Sequence, residues 1–308
     1  MFKKLSDSTI GVMYTVASYV SWGFLPIYWY FLRHISAYEL FSHRILWSFV
    51  FGSLILFLIK GWPQVKQVIT QWKNAFWTFV GALLIGTNWF IFIWAVTTNH
   101  VIEASLGYYI NPLFSVALGV IILKEKLNRW KTISLFTAAV GVFLMTVQFG
   151  QIPWIALIIA LSFALYGLVK KMIKVEAIVS VTLETMFILP FVLPLLVFVE
   201  MEGTSSLSQI SPIETLLLIG AGAVTALPLL WFAKGAQCVP LSTLGFLQYI
   251  NPTLQLLVGI FVFHETFTYS HLISFGFIWL ALAIFSVSQL NFMQYYHIRM
   301  LQKGKSSD

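Results

Sequence analysis

The sequence predicts an all-α polytopic membrane protein with ten transmembrane helices, built as two inverted five-helix repeats. Three observations lead there. The 308 residues are 59% hydrophobic and only 9% charged, against roughly 25% charged residues in ordinary soluble domains. Apolar runs recur along the chain, each near the ~20 residues a helix needs to cross the hydrocarbon. The stretch Tyr108–Glu125, YYINPLFSVALGVIILKE, returns 140 residues later and without a gap as Gln248–Glu265, QYINPTLQLLVGIFVFHE. A helix repeated at near half the chain length marks a duplicated unit.

The runs fall at 10–32, 37–59, 74–97, 102–123 and 131–148 in the first unit, and at 153–172, 178–199, 212–233, 239–263 and 271–290 in the second. The domain organisation read from them is an N-terminal segment 1–9, repeat units 10–148 and 153–290, and a polar, basic tail 291–308. Lys3 and Lys4 precede the first run, which passes 20 residues without a small-residue cleavage site. It reads as a retained span, not a signal peptide. Connections are short, the longest at about 60–73 and 200–211.

Orientation follows from the basic residues. With the N-terminus in the cytoplasm, every one of the 18 Lys and Arg residues except Arg33 and Arg44 falls on the cytoplasmic side. The outer loops carry Glu200, Glu202 and Glu214. This asymmetry is the positive-inside pattern, and both termini are expected in the cytoplasm. Five spans per unit is an odd number, so the second unit runs upside down relative to the first. Inverted repeats of this kind recur in secondary transporters, whose substrate sites lie near the midplane where the halves meet.

The net charge of +7 belongs to this loop bias and does not indicate nucleic acid. Cys238 is the single cysteine, so no intrachain disulfide forms. The six histidines are scattered, and there is no HExxH, GxSxG or Walker sequence. No cofactor and no metal are therefore expected, and an enzyme is disfavoured. The expected partners are a small-molecule substrate and the lipid bilayer. Spans five and ten lie at the periphery and either face lipid or pair in a homodimer. A channel and a non-transporting receptor or scaffold remain as alternatives, although no ring of like charge marks a filter.

Several motifs carry a family resemblance: Ser21-Trp22-Gly23-Phe24-Leu25-Pro26 in the first span and Glu39-Leu40-Phe41-Ser42-His43-Arg44-Ile45-Leu46-Trp47-Ser48 in the second. Asn88-Trp89 with Ile93-Trp94-Ala95-Val96, and Glu103 through Pro112, continue it. Leu247-Gln248-Tyr249-Ile250-Asn251-Pro252 and Phe263-His264-Glu265 extend it into the second unit. Together they resemble the drug/metabolite transporter superfamily, and within it the EamA-type proteins of the RarD group. The resemblance runs from about residue 10 to 290 and is looser in the sixth and seventh spans, where Leu165-Tyr166-Gly167 stands in place of Ser21-Trp22-Gly23. It implies a ten-helix fold, a central cavity and alternating access. The group is often labelled chloramphenicol-sensitive or permease, which is not a substrate assignment.

The repeated helix supplies the first candidate residues. Gly107, Asn111, Ser115 and Gly119 recur every fourth residue and form one stripe. Leu247, Asn251, Gln255 and Gly259 form its mirror. Small and polar residues in such a stripe serve as a packing seam or, at Asn111 and Asn251, line a cavity, where the two amides are expected to face each other near the midplane. Pro112 and Pro252 free the carbonyls of Tyr108 and Gln248 and predict matching bends. Trp22, Asn88, Tyr108, Gln248 and Tyr249 complete the expected substrate cavity.

Intramembrane charges come next, because they are costly and mark function or pairing. Arg44 and Glu184 occupy equivalent positions at the 140-residue offset. Depth alone matches Arg44 with Glu103 near the outer surface and Glu184 with Lys234 near the inner one. Glu39 and His43 share a helix face. Glu184, a buried carboxylate, is the better proton-coupling candidate. Glu125 and Glu265 close their helices where the dipole disfavours them, so each is expected to have a specific structural partner.

Overall fold

The computed structural model describes residues 6–98, 100–150, 152–264 and 272–287. Regular structure among them is helical throughout. The first half contains α1 (Asp7–Tyr30), α2 (Ala37–Leu58), α3 (Trp62–Thr70), α4 (Trp72–Thr97), α5 (Val101–Ile121) and α6 (Arg129–Phe149). The second contains α7 (Trp154–Met172), α8 (Ala177–Met201), α9 (Pro212–Cys238), α10 (Leu241–Gln248), α11 (Ile250–Phe261) and α12 (Leu272–Val287). Among the described residues nine stretches are long and apolar enough to span, counting α10 with α11, and α12 is a shorter apolar helix. Each of the ten expected spans thus has a helix. Glu265, His271 and the tail lie outside the described residues.

Local chemistry sets the helix ends. Ser6, Ser36, Asn128 and Ser211 each accept a backbone N–H of the turn they precede, satisfying donors that a helix N-terminus leaves free. Ser211 and Glu214 form a reciprocal capping box. At the other ends, Lys124 and His264 both take left-handed backbone, with φ of 55° and 54°. They are related by the 140-residue offset, so the two units share even this non-glycine turn. At Lys124 it brings the N–H of Glu125 onto the Gly119 carbonyl and turns the chain back.

Helix packing follows the same exchange. At that offset α1 corresponds to α7, α2 to α8, α4 to α9, and α5 to α10 with α11. α5 packs on α7 as α10 and α11 pack on α1, and α1 packs on α9 as α7 packs on α4. α2 packs on α8, and α5 on α10, so these counterparts meet each other about the pseudo-two-fold. α6 lies outside this core, with Phe136, Phe143 and Val147 exposed.

Two local expectations change. The segment 60–73 holds a nine-residue helix, α3. Pro63 in its first turn suits helix entry, and Val65 and Val68 are buried. Secondly, the two prolines act unequally. α5 runs unbroken through Pro112, whereas the chain between α10 and α11 breaks at Tyr249, three residues before Pro252. The missing proline N–H removes one helical bond in both halves, and surrounding packing decides which of them bends.

Candidate functional site

Arg44 projects from α2 about 10 Å below that helix's first turn, at 1.5 Å per residue. It is partly exposed, while its chain neighbours His43 and Ile45 are buried. Its Nε donates to Thr225 Oγ1 of α9 at 3.2 Å. The Trp29 and Trp89 rings flank the guanidinium, with centroids 4.6 and 5.2 Å from Cζ. Tyr108 of α5 lies within electrostatic reach. Five helices from both halves thus converge on one cation. The expected Arg44–Glu103 pair does not form. Glu103 instead accepts the Ile155 N–H at 2.8 Å, where α7 begins after Pro153 with no side-chain cap. An uncapped helix N-terminus is the stronger local claim on a buried carboxylate.

An aromatic cluster fills the centre. Trp22 packs on Tyr19, Phe163 and Phe232 with ring centroids 5.8, 5.6 and 5.7 Å away. Tyr166 stacks on Phe232 at 5.8 Å. Trp22, expected to line a cavity, is partly buried and packs among the rings of this cluster. Towards the lysine-rich face, the Tyr166 hydroxyl donates to Glu184 Oε2 at 3.0 Å. Glu184 Oε1 lies 2.5 Å from Lys170 Nζ, and Lys170 also donates to Ser180 Oγ at 2.7 Å. Lys170 is 0% exposed.

Glu184 is thus paired with Lys170, not with Lys234, whose ammonium lies over the Tyr14 ring at 4.8 Å. Side-chain direction explains the difference. Cα–Cβ bonds tilt towards a helix N-terminus, so Lys170 in the last turn of α7 leans into the membrane. Glu184 leans back towards the lysine-rich face, where α8 begins, and the two meet. Gly81 of α4 leaves the room: a Cβ there would lie 2.9 Å from Glu184 Oε1. Lys170, Tyr166 and Ser180 were not expected from the sequence, because Lys170 sits in a loop-flanking basic cluster that reads as solvated.

Two of the amides expected to line a cavity are engaged between helices. Asn88 donates to the Ile159 carbonyl at 2.8 Å, and Asn111 to the Ala160 carbonyl at 2.5 Å. Both bonds tie the first half onto α7. Asn251 accepts from Gln255 at 3.0 Å, and Gln255 also reaches the Trp22 carbonyl of α1 at 3.4 Å. The two asparagines are therefore not bonded to each other: Asn111 bonds across to α7, whereas Asn251 bonds within α11 to Gln255, which itself reaches α1. Tyr249 is 1% exposed and packs with Ala138, Ile278 and Ala281 at the α6 and α12 side. Gln248 is buried. The small-residue stripe is a packing seam: Gly107 faces Ala156 and Ile159 of α7, and Ser115 faces Gly245 of α10. Of the expected cavity set, Tyr108 alone borders Arg44.

Carboxylates close the ends of the bundle. Glu39 accepts the Ser206 N–H and hydroxyl at 2.8 and 2.6 Å, with His43 Nε2 at 4.0 Å. Glu125 accepts the N–H groups of Leu241 and Ser242 at 2.6 and 2.9 Å, plus the Ser242 hydroxyl at 2.6 Å. The partner of Glu125 is the first turn of α10 in the other half. Glu125→Ala frees that turn, and the expected loss is about 2 kcal/mol, the range for charged hydrogen bonds at a helix start. Thermal unfolding in detergent measures it; an unchanged midpoint would show that the clamp is idle.

Comparison with known proteins agrees with this architecture. The EamA-like transporter family matches residues 9–147. The chain is 45% identical over 291 residues to "Uncharacterized transporter YojE" of Bacillus subtilis, covering 92% of this chain and 96% of that protein. It is 42% identical over 275 residues to "Protein RarD" of Escherichia coli strain K12, covering 89% and 93%. A solved crystal structure superposes with a TM-score of 0.69 at 17% identity, covering 92% of this chain and 98% of that one, a likeness of fold alone.

Proposed function

Because the chain belongs to the EamA-like transporter family, in its RarD group, we propose that it is a secondary transporter. In this reading it moves a small organic metabolite or drug-like solute across the cytoplasmic membrane by alternating access, with both termini in the cytoplasm. The observation that carries the reading is the exchange symmetry of the helix contacts: α5 on α7 repeats as α10–α11 on α1, with the units inverted. Two halves packed alike but upside down can trade conformations, and that trade opens the centre to one side and then the other. The central aromatic cluster separates Arg44 from the Lys170–Glu184 pair, one near each face. Arg44 is partly exposed and the pair is sealed, which fits a state closed towards the lysine-rich side.

The test begins with a stabilisation screen of amino acids, nucleosides and amphiphilic drugs on the purified protein. A stabilising solute is then loaded into proteoliposomes, and trace labelled solute is offered outside. Saturable counterflow is the expected result. Gradient-driven conductance without saturation would make the protein a channel, and neither response would make it a scaffold or receptor.

A further inference from the structure

We infer that Arg44 is the recognition point for an anionic substrate, a small carboxylate carried on a flat, apolar ring. The inference deepens the transport reading and rests on it. A cation this far inside a span is costly to insert. Such groups are held by a partner or serve one. Among the described residues Arg44 makes no ion pair with any carboxylate. Glu39 and Glu103, the acids towards the same face, are engaged elsewhere, on Ser206 and Ile155, and Glu184 is held by Lys170.

A guanidinium has five N–H donors in a rigid fork. Thr225 takes the Nε–H, and the terminal nitrogens donate to no protein acceptor among the described residues. Fixing Nε fixes the plane, so the free edge is presented in one orientation. A carboxylate binds such an edge through two parallel bonds, the geometry in which arginine outperforms lysine. Trp29 and Trp89 flank the guanidinium. Indoles beside a charged centre provide an apolar, polarisable wall for a planar ring, and the Tyr108 hydroxyl adds a polar atom within reach. As a residue Arg44 is partly exposed, between the buried His43 and Ile45.

The test is thermal stabilisation of the full-length detergent-purified protein. The probes are benzoate, phenylacetate, indole-3-carboxylate and phenylalanine, each beside its primary amide or methyl ester. The expected result is a concentration-dependent rise in unfolding temperature with at least one carboxylate and none with its neutral partner. Arg44→Gln should weaken that response about tenfold or more, the scale of one lost charge-assisted contact. Arg44→Lys, which keeps the charge without the fork, should fall between and guards against misfolding of the first variant. Equal binding of neutral and anionic partners, wild-type binding by Arg44→Gln, or no binding by any probe overturns the inference. Counterflow separates it from the transport reading. Exchange of a neutral solute alone removes the carboxylate and leaves transport standing. An anion that binds at Arg44 but never exchanges does the reverse.

Discussion

Removing either Lys170 or Glu184 alone should destabilise the protein by about 3–5 kcal/mol, the cost of leaving one buried charge without its partner. The pair is 2.5 Å apart, and both side chains are almost wholly buried. In Lys170→Met, Glu184 keeps the Tyr166 and Ser180 hydroxyls but loses its counter-charge. In Glu184→Leu, the ammonium keeps only Ser180 and the Tyr166 ring face at 5.1 Å. The double variant Lys170→Met/Glu184→Leu should recover most of the loss, because replacing a buried pair with apolar groups of similar volume is often neutral or better. Unfolding temperatures of the four proteins in one detergent measure this coupling. Simply additive losses would show that the two groups act independently. In the proposed cycle this pair holds the lysine-rich side shut, so a well-folded double variant should also exchange solute at an altered rate.

Gly222→Ala should be nearly as damaging, for a steric reason. Gly222 of α9 lies against α2, where an added Cβ would overlap the backbone carbon and oxygen of Trp47. Backbone cannot rotate aside as a side chain can. The helices must separate, which also stretches the 3.1 Å bond from Ser48 to the Gly222 carbonyl. Overpacking of this kind costs about 1–3 kcal/mol or more, against ~0.6 kcal/mol for an average polar contact between membrane helices. Gly276→Ala in α12 is the control: nothing lies within 4 Å of its Cβ position, so the roughly 1 kcal/mol advantage of alanine over glycine in a helix should appear as equal or greater stability. An unchanged melting temperature for Gly222→Ala would mean that α2 and α9 are not held at this distance.

Much of the fold was legible because its rules act locally along the chain. Hydropathy placed the spans, and the 140-residue echo paired the halves. It extends even to the left-handed turns at Lys124 and His264. The site was less legible. Arg44 stood out as a charge inside a span, and Tyr108 fell beside it. Asn88 and Asn111 looked like cavity residues but are bonded across helix seams, and Asn251 is bonded within its own helix to Gln255. A buried amide between helices has the same sequence signature as one facing a cavity.

What the sequence determined by itself was position along one axis: which residues enter the membrane, at what depth, and that the second unit is inverted. Depth follows from residue count and 1.5 Å of rise. It left open rotation about each helix and the lean of each side chain. Those decided that Glu184 meets Lys170 rather than Lys234, that Glu103 serves α7 rather than Arg44, and that the chain breaks at Tyr249 and not at its counterpart Tyr109. Lipid treats all apolar faces alike, so only packing among helices fixes which face turns inward.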